Sequence, residues 1–149
     1  MSPPACIKVS LCFRKRPDVS YEHFSQHWAT VHADLTTASS AFCACNILRY
    51  TQHHCTPDER AHIHELGIEA MDYDACTTMW VREWDDTVQF HESDDSRRMA
   101  QDCEHFLDRS PGGLRAMAGH DVIVVGARVL GVDEAGGLPS HETGQGWNC

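Results

Sequence analysis

The chain has no apolar run of membrane-spanning length, no basic block longer than Arg14-Lys15-Arg16 and no glycine-rich phosphate loop. Each absence removes a class. A helix needs about 20 consecutive apolar residues to cross a bilayer, so no membrane partner is expected. A net charge of −10 with histidine neutral repels nucleic acid. The acidity serves solubility instead. Neither a dinucleotide fingerprint nor a nucleophile elbow occurs, which leaves nucleotide binding and serine hydrolysis without a motif. The opening MSPPACIKVSLCF lacks a basic leader, and Lys8 interrupts its apolar run, so it reads as a strand rather than a signal peptide. The expected location is cytoplasmic.

Eight cysteines would suit a disulfide framework, but a cytoplasmic chain keeps its thiols reduced. Cys6, Cys12, Cys43, Cys76 and Cys103 stand where small hydrophobes fit. Cys43 and Cys45 share one face of an extended segment, with no second pair at zinc-ribbon spacing. Reduced, structural cysteines are expected.

A length of 149 residues and a hydrophobic fraction of 42% suit one domain with a real core. Residues 6–13 alternate as a strand with Ile7, Val9, Leu11 and Phe13 on one face. Pro17-Asp18 ends it, and Ser20 caps a helix whose stripe is Tyr21, Phe24, Trp28, Val31 and Leu35. His32 lies at the edge of that stripe, His27 further round and His23 in solvent. Residues 43–54 read as extended around Ile47, Leu48 and Tyr50, residues 58–66 as a short helix, and residues 75–84 as a third strand. A second helical region covers 86–107 with a break near Ser93-Asp94-Asp95, and the β-branched run in 121–132 reads as the last strand. The domain thus spans 1–132, followed by a Gly/Ser/Thr-rich tail, 133–149.

The order β-α-β-β-α-β specifies a ferredoxin-like α+β sandwich, two helices on one face of a four-stranded antiparallel sheet. The other sheet face needs a cover, and a second copy of the chain supplies it, so a homodimer is expected.

The opening strand, the block RKRPDVSYEHFSQHWATVHADL at 14–35, the strand YDACTTMWVREWDD and the helix SDDSRRMAQDCEHFLD together resemble the EthD family of dimeric α+β barrels. The likeness covers roughly residues 6–132, and its nearest flavour is that of small fungal proteins of aromatic polyketide pathways. The resemblance implies a decarboxylase, a dehydratase or a cofactor-independent oxygenase acting on polycyclic phenolic intermediates. Fold membership does not choose among them.

His32 is the leading chemical candidate, a general acid or base beside Trp28, against the plainer reading of a backbone-bonded helix-flank histidine. Trp28, Tyr50 and Trp80 sit on elements expected to share the interior, as core packing or as the apolar wall of an aromatic pocket. Asp74 and His120 stand at sheet ends, each able to assist His32 or to cap a turn. Asp102, near the apolar stripe of the second helical region, is a possible carboxylate partner, with His105 beside it. His23 with His27, and His62-x-His64-Glu65, have metal-like spacing but polar settings, and solvated histidines are preferred. Cofactor-free acid–base chemistry remains, and no cofactor or metal is expected. The sequence reading is a lyase that decarboxylates a polycyclic β-keto or phenolic acid. Dehydration, anthrone-type oxygenation and a non-catalytic ligand-binding dimer are its rivals.

Overall fold

The alternation of residues 6–13 becomes β1 (Ile7–Phe13) in a computed structural model that describes residues 6–126. β1 pairs antiparallel with β3 (Ala75–Val81) and β4 (Leu114–Gly119), and β2 (Arg49–His54) pairs with β3, giving the sheet order β2-β3-β1-β4. Two helical layers join these strands. The first runs from α1 (Tyr21–His27) through a π-helical turn (Trp28–His32) into α2 (Ala33–Thr37) and the short α3 (Ser40–Ala44). The second is α5 (Trp84–Glu92) and α6 (Asp94–Cys103); α4 (Pro57–Ile63) lies in the β2–β3 connection. This is the ferredoxin-like α+β fold expected from the element order.

Local chemistry sets the helix ends. Ser20 Oγ accepts from the His23 amide at 3.2 Å, as a capping residue should. Ser93 ends α5 and caps α6 by accepting from Ser96 N at 3.0 Å, which is the expected break in 86–107. Glu83 and Asp86 form a reciprocal capping box, so the third strand stops at Val81 and Trp84 opens α5.

The core is aromatic. Phe13, Phe24, Trp28, Ala75 and Phe106 form one buried cluster. Phe13 meets Phe24 and Trp28 edge-on at 6.0 and 5.1 Å between centroids. Since Phe13 faces the helices, so do Leu11, and across the register Tyr50, Gln52, His54, Ala75, Thr77, Met79, Leu114 and Ala116.

Four expectations fail. The last strand is Leu114–Gly119, not 121–132; residues 121–126 are irregular and the rest of that segment lies outside the described residues. Register against β1 makes LRAMAG a strand despite its lack of β-branched residues. The chain enters it through Gly112 at φ +81 and Gly113, where an added Cβ would come within 2.3 Å of the Asp108 carbonyl. Second, residues 43–48 are not strand. Ser39 and Asp95 bind the free amides of Phe42 and Ala41 and hold α3 instead. Third, Cys43 is helical and disulfide-bonded, so the fully reduced set fails there, although Cys12, Cys45, Cys55, Cys76 and Cys103 are free thiols. Fourth, Val31, expected on the apolar stripe, is 52% exposed, while His32, expected at its edge, is buried at 9%. The division into 1–132 and 133–149 extends beyond the described residues.

Phe106 touches Phe13, Phe24, His27 and His32. Phe106→Ala is therefore expected to cost about 3–5 kcal/mol in urea unfolding. A loss under 1 kcal/mol would show that this ring does not hold the two layers together.

Candidate functional site

The site begins with a backbone irregularity. The buried residues of α1, the π-helical turn and α2 are Phe24, Trp28, His32 and Thr36, spaced by four. On a regular α-helix, three such steps drift by roughly 120°. The π-helical turn at Trp28–His32 is wider, with i→i+5 closure, and brings the four back into line. Val31 is rotated off the stripe accordingly, and Leu35 is only half-buried. One-turn insertions of this kind recur at functional sites.

The same turn resolves the partner of His32. Residues five apart on an α-helix stand roughly 140° from one another. Across the wider turn, His27 and His32 converge on one carboxylate. His32 Nδ1–H donates to Asp102 Oδ2 at 2.8 Å, and His27 Nε2–H donates to Oδ1 and Oδ2 at 3.0 and 3.2 Å. Asp102, on α6, is the acceptor of both. His27 is thus a member of the site, where sequence placed it in solvent. The signal was hidden because wheel geometry assumes 3.6 residues per turn throughout.

Electrostatics follow from burial. Desolvation pushes the His32 imidazole below its ordinary range, and the hydrogen bond and charge of Asp102 oppose this only in part. Burial pushes Asp102 upward, but the bonds from His32 and His27 outweigh it and leave its carboxyl below the usual range. The resting state is a carboxylate behind a neutral imidazole. With Nδ1–H held by Asp102, the lone pair of His32 sits on Nε2, which makes no hydrogen bond among the described residues.

A second polar wing covers the sheet opposite. Gln52 Nε2 donates to the Trp28 carbonyl at 2.8 Å and to the Tyr50 hydroxyl at 3.0 Å. His54 bonds Gln52 Oε1 through Nε2 at 3.2 Å and Ser25 Oγ through Nδ1 at 2.7 Å. The Trp28 ring lies 4.6 Å from that of His54. Thr36 donates to the His32 carbonyl at 2.8 Å, and its side chain stands beside the Tyr50 hydroxyl with Thr77. Tyr50 is thereby linked to His32 through one helical turn, a rise of about 6 Å. Burial raises the Tyr50 phenol, which keeps it a neutral hydrogen-bond donor.

The sequence candidates divide. His32, Trp28, Tyr50 and Asp102 come together on the helix face. Trp80 does not join them. The strand register puts it on the opposite face, between Lys8 at 5.3 Å and Arg49 at 4.7 Å, with its indole N–H bonded to Asp121. Asp74 is engaged by the Lys15 amide and by Arg60 at the sheet end, a clamp on the β2–β3 connection. His120 is exposed beyond the edge strand β4. His105 is exposed, its ring 6.3 Å from that of His27. His62 pairs with Glu65 at the surface, and no group of three or more metal-ligating side chains exists among the described residues. Gln52, His54 and Ser25 were missed, since only the strand register shows that Gln52 and His54 share the face of Tyr50.

An antiparallel four-stranded sheet under two helical layers, with a histidine–carboxylate pair between them, defines a ferredoxin-like α+β protein with a site on its helix face. Residues 16–110, more than half of the chain, match the EthD domain, and the chain belongs to that family. No curated protein gives a significant match. Among solved structures, it is similar to an EthD family protein from Bacillus halodurans (TM-score 0.52, 13% identity, covering 78% of this chain and 99% of that one). A DABB family protein with a ferredoxin-like fold from Mesorhizobium loti is also similar (0.54, 9%, 80% and 99%). So is a dimeric ferredoxin-like protein of unknown function from Thermobifida fusca (0.53, 15%, 80% and 93%). At these identities the likeness concerns the fold. No helix among the described residues is long and apolar enough to cross a membrane.

The pH dependence of stability follows from the two histidines that burial depresses, His32 and His54. Each has a folded pKa below its unfolded value, so the unfolded chain takes up the extra proton between the two. Their contribution is complete above the ordinary 6.5 and is lost as pH falls through that value. Urea unfolding is expected to show lower stability at pH 5.5 than at pH 7.5 (assay conditions of about one unit either side of 6.5), with a smaller drop in His32→Gln. An undiminished drop in that variant would remove His32 from the account.

Proposed function

We propose that the protein is a cofactor-independent lyase that decarboxylates a planar, polycyclic β-keto or phenolic carboxylic acid of polyketide type. The observation that carries this reading is the neutral, buried His32 with Asp102 behind it and an Nε2 that bonds to nothing among the described residues. Tyr50, on the sheet face turned to the same helices, supplies a phenolic donor.

The chemistry is a proton cycle. His32 Nε2 takes the proton of the incoming acid, and Asp102 stabilises the imidazolium that forms. The C–C bond to the carboxylate breaks, carbon dioxide leaves, and the electron pair is held as an enolate whose oxygen accepts from the Tyr50 hydroxyl. The imidazolium then returns its proton to carbon, so the enzyme ends as it began. A half-buried setting favours loss of the carboxylate's hydration shell before cleavage. Dehydration is the second reading, favoured by the same neutral imidazole: Nε2 removes an α-proton and delivers it to the departing hydroxyl.

The protein is proposed to act as a homodimer joined through the sheet face that bears Lys8, Arg49 and Trp80. The dimeric Thermobifida fusca protein supports this. A cytoplasmic location belongs to the same reading; the free thiols at Cys12, Cys45, Cys55, Cys76 and Cys103 favour it and the disulfide at Cys43 opposes it.

Incubation with a polycyclic β-keto acid is expected to release one carbon dioxide per substrate. His32→Ala should lower kcat by roughly 10²–10⁴-fold with the fold intact. Asp102→Asn should lower kcat and shift the acidic limb of the pH–rate profile downward, because the group that favours imidazolium is gone. Water loss without carbon dioxide would select dehydration. Full turnover in folded His32→Ala would end both readings, and a monomer by sedimentation would end the dimer.

A further inference from the structure

We infer that His27 is a positioning residue for the reaction: by sharing Asp102 it aims the carboxylate at His32 and limits how far that anion draws His32 towards imidazolium. The inference deepens the proposed lyase reading, and rests on it for the use made of a neutral His32.

The arrangement follows from what a carboxylate can do. It only accepts hydrogen bonds, so the ring nitrogens of His27 and His32 that face it both carry hydrogen. His32 donates to one oxygen, Oδ2, at 2.8 Å. His27 donates to both, at 3.0 Å to Oδ1 and 3.2 Å to Oδ2. A donor that straddles both oxygens resists rotation of the carboxylate, and Oδ2 stays aimed at His32 Nδ1. The Asp102 side chain is 13% exposed, so little water takes part. No lysine or arginine pairs with this carboxylate among the described residues.

Two donors divide the attraction of one anion. An imidazole alone beside a carboxylate is drawn towards imidazolium. Here the N–H of His27 already stabilises the same oxygens, so protonating His32 gains less from Asp102. His32 accordingly lies below its ordinary range with Asp102 at 2.8 Å: burial is the largest cause, and charge on His27 adds to it. The other groups around the trio do not take the place of His27. Cys103, next on α6, has its thiol pushed up to about 11 by burial and by Asp102, and stays neutral. Arg109 donates to the Ala100 carbonyl. His105 is exposed, its ring 6.3 Å from that of His27. Phe106 packs against both rings, 5.5 Å from His27 and 5.3 Å from His32, and carries no charge. A general base needs a carboxylate to fix its tautomer, yet must meet the substrate unprotonated. His27 reconciles the two demands.

The test reads His32 itself. Its ring nitrogens are titrated by NMR in the full-length protein, their signals identified by loss in His32→Gln. His27→Phe keeps a ring against Phe106 and removes the donor, and is expected to raise the His32 midpoint by about one pH unit. His27→Gln returns an uncharged donor and should bring the midpoint part of the way back. The acidic limb of the pH–rate profile with a polycyclic β-keto acid should move upward with the midpoint, opposite to its movement in Asp102→Asn. Should His27→Phe fail to fold, His27→Leu, equally without a donor, takes its place. A midpoint that stays or falls in the folded variant overturns the inference, and so does a His27→Gln midpoint equal to that of the variant without a donor. If the midpoint rises as stated but no acid is turned over, the lyase reading falls and the hold of His27 on Asp102 and His32 stands. Turnover that depends on His32, with an unmoved midpoint, gives the reverse.

Discussion

The wide helical turn at Trp28–His32 is the constraint on which the rest of the site depends. It costs one residue of regular α-helical bonding, and two sets of contacts hold it. On one side, Trp28 is wedged among Phe13, Phe24 and His54. On the other, Asp102 draws His27 and His32 to the same carboxylate. Straightening the turn would rotate one member of each pair away from its partner. The irregularity persists because a core aromatic and the hydrogen bonds of His27 and His32 to Asp102 both require it.

From that turn the two polar wings acquire opposite characters. Asp102 is an anion with two donors, so it fixes the His32 tautomer and favours imidazolium whenever one forms. The Tyr50 wing is neutral throughout, a string of hydroxyl, imidazole and amide groups anchored on a backbone carbonyl. One wing accommodates a mobile proton and the other carries no charge. Pairs of groups whose surroundings push their protonation apart are what acid–base chemistry needs. Here Trp28 joins both: its ring packs in the core and its carbonyl orients the neutral wing.

The parts legible in sequence were those governed by local periodicity. The alternation in β1, the Ser20 and Ser93 caps and the aromatic stripe up to Trp28 all follow regular geometry, and with them the element order and the fold. His32 was recognisable because it follows Trp28 by four residues at the edge of the stripe. What lay beyond reach depended on tertiary partners. β4 is a strand only because β1 offers it a ladder, while the more β-branched residues 122–125 are irregular. His27 belongs to the site only across a turn that no wheel anticipates. Trp80 left the site through parity: its Cα partner across β3–β1 is Lys8, not a residue of the Phe13 face.

That parity has a functional sense. A β-sheet separates successive side chains onto opposite faces, so two jobs can share the same strands without sharing a surface. β1 sends Leu11 and Phe13 to the helices and Lys8 and Ser10 to the other side; β3 sends Thr77 and Met79 one way, Thr78 and Trp80 the other. The far face is bonded within itself, with Ser10 and Thr78 hydroxyls 3.0 Å apart and Lys8 and Arg49 flanking Trp80. In the proposed dimer this face meets its counterpart, and each helix-face site remains wholly within one chain. Assembly then bears on the site only through the stiffness it gives the sheet. Tyr50, Gln52 and His54 feel that stiffness first, because they hang from β2, which pairs with β3 alone.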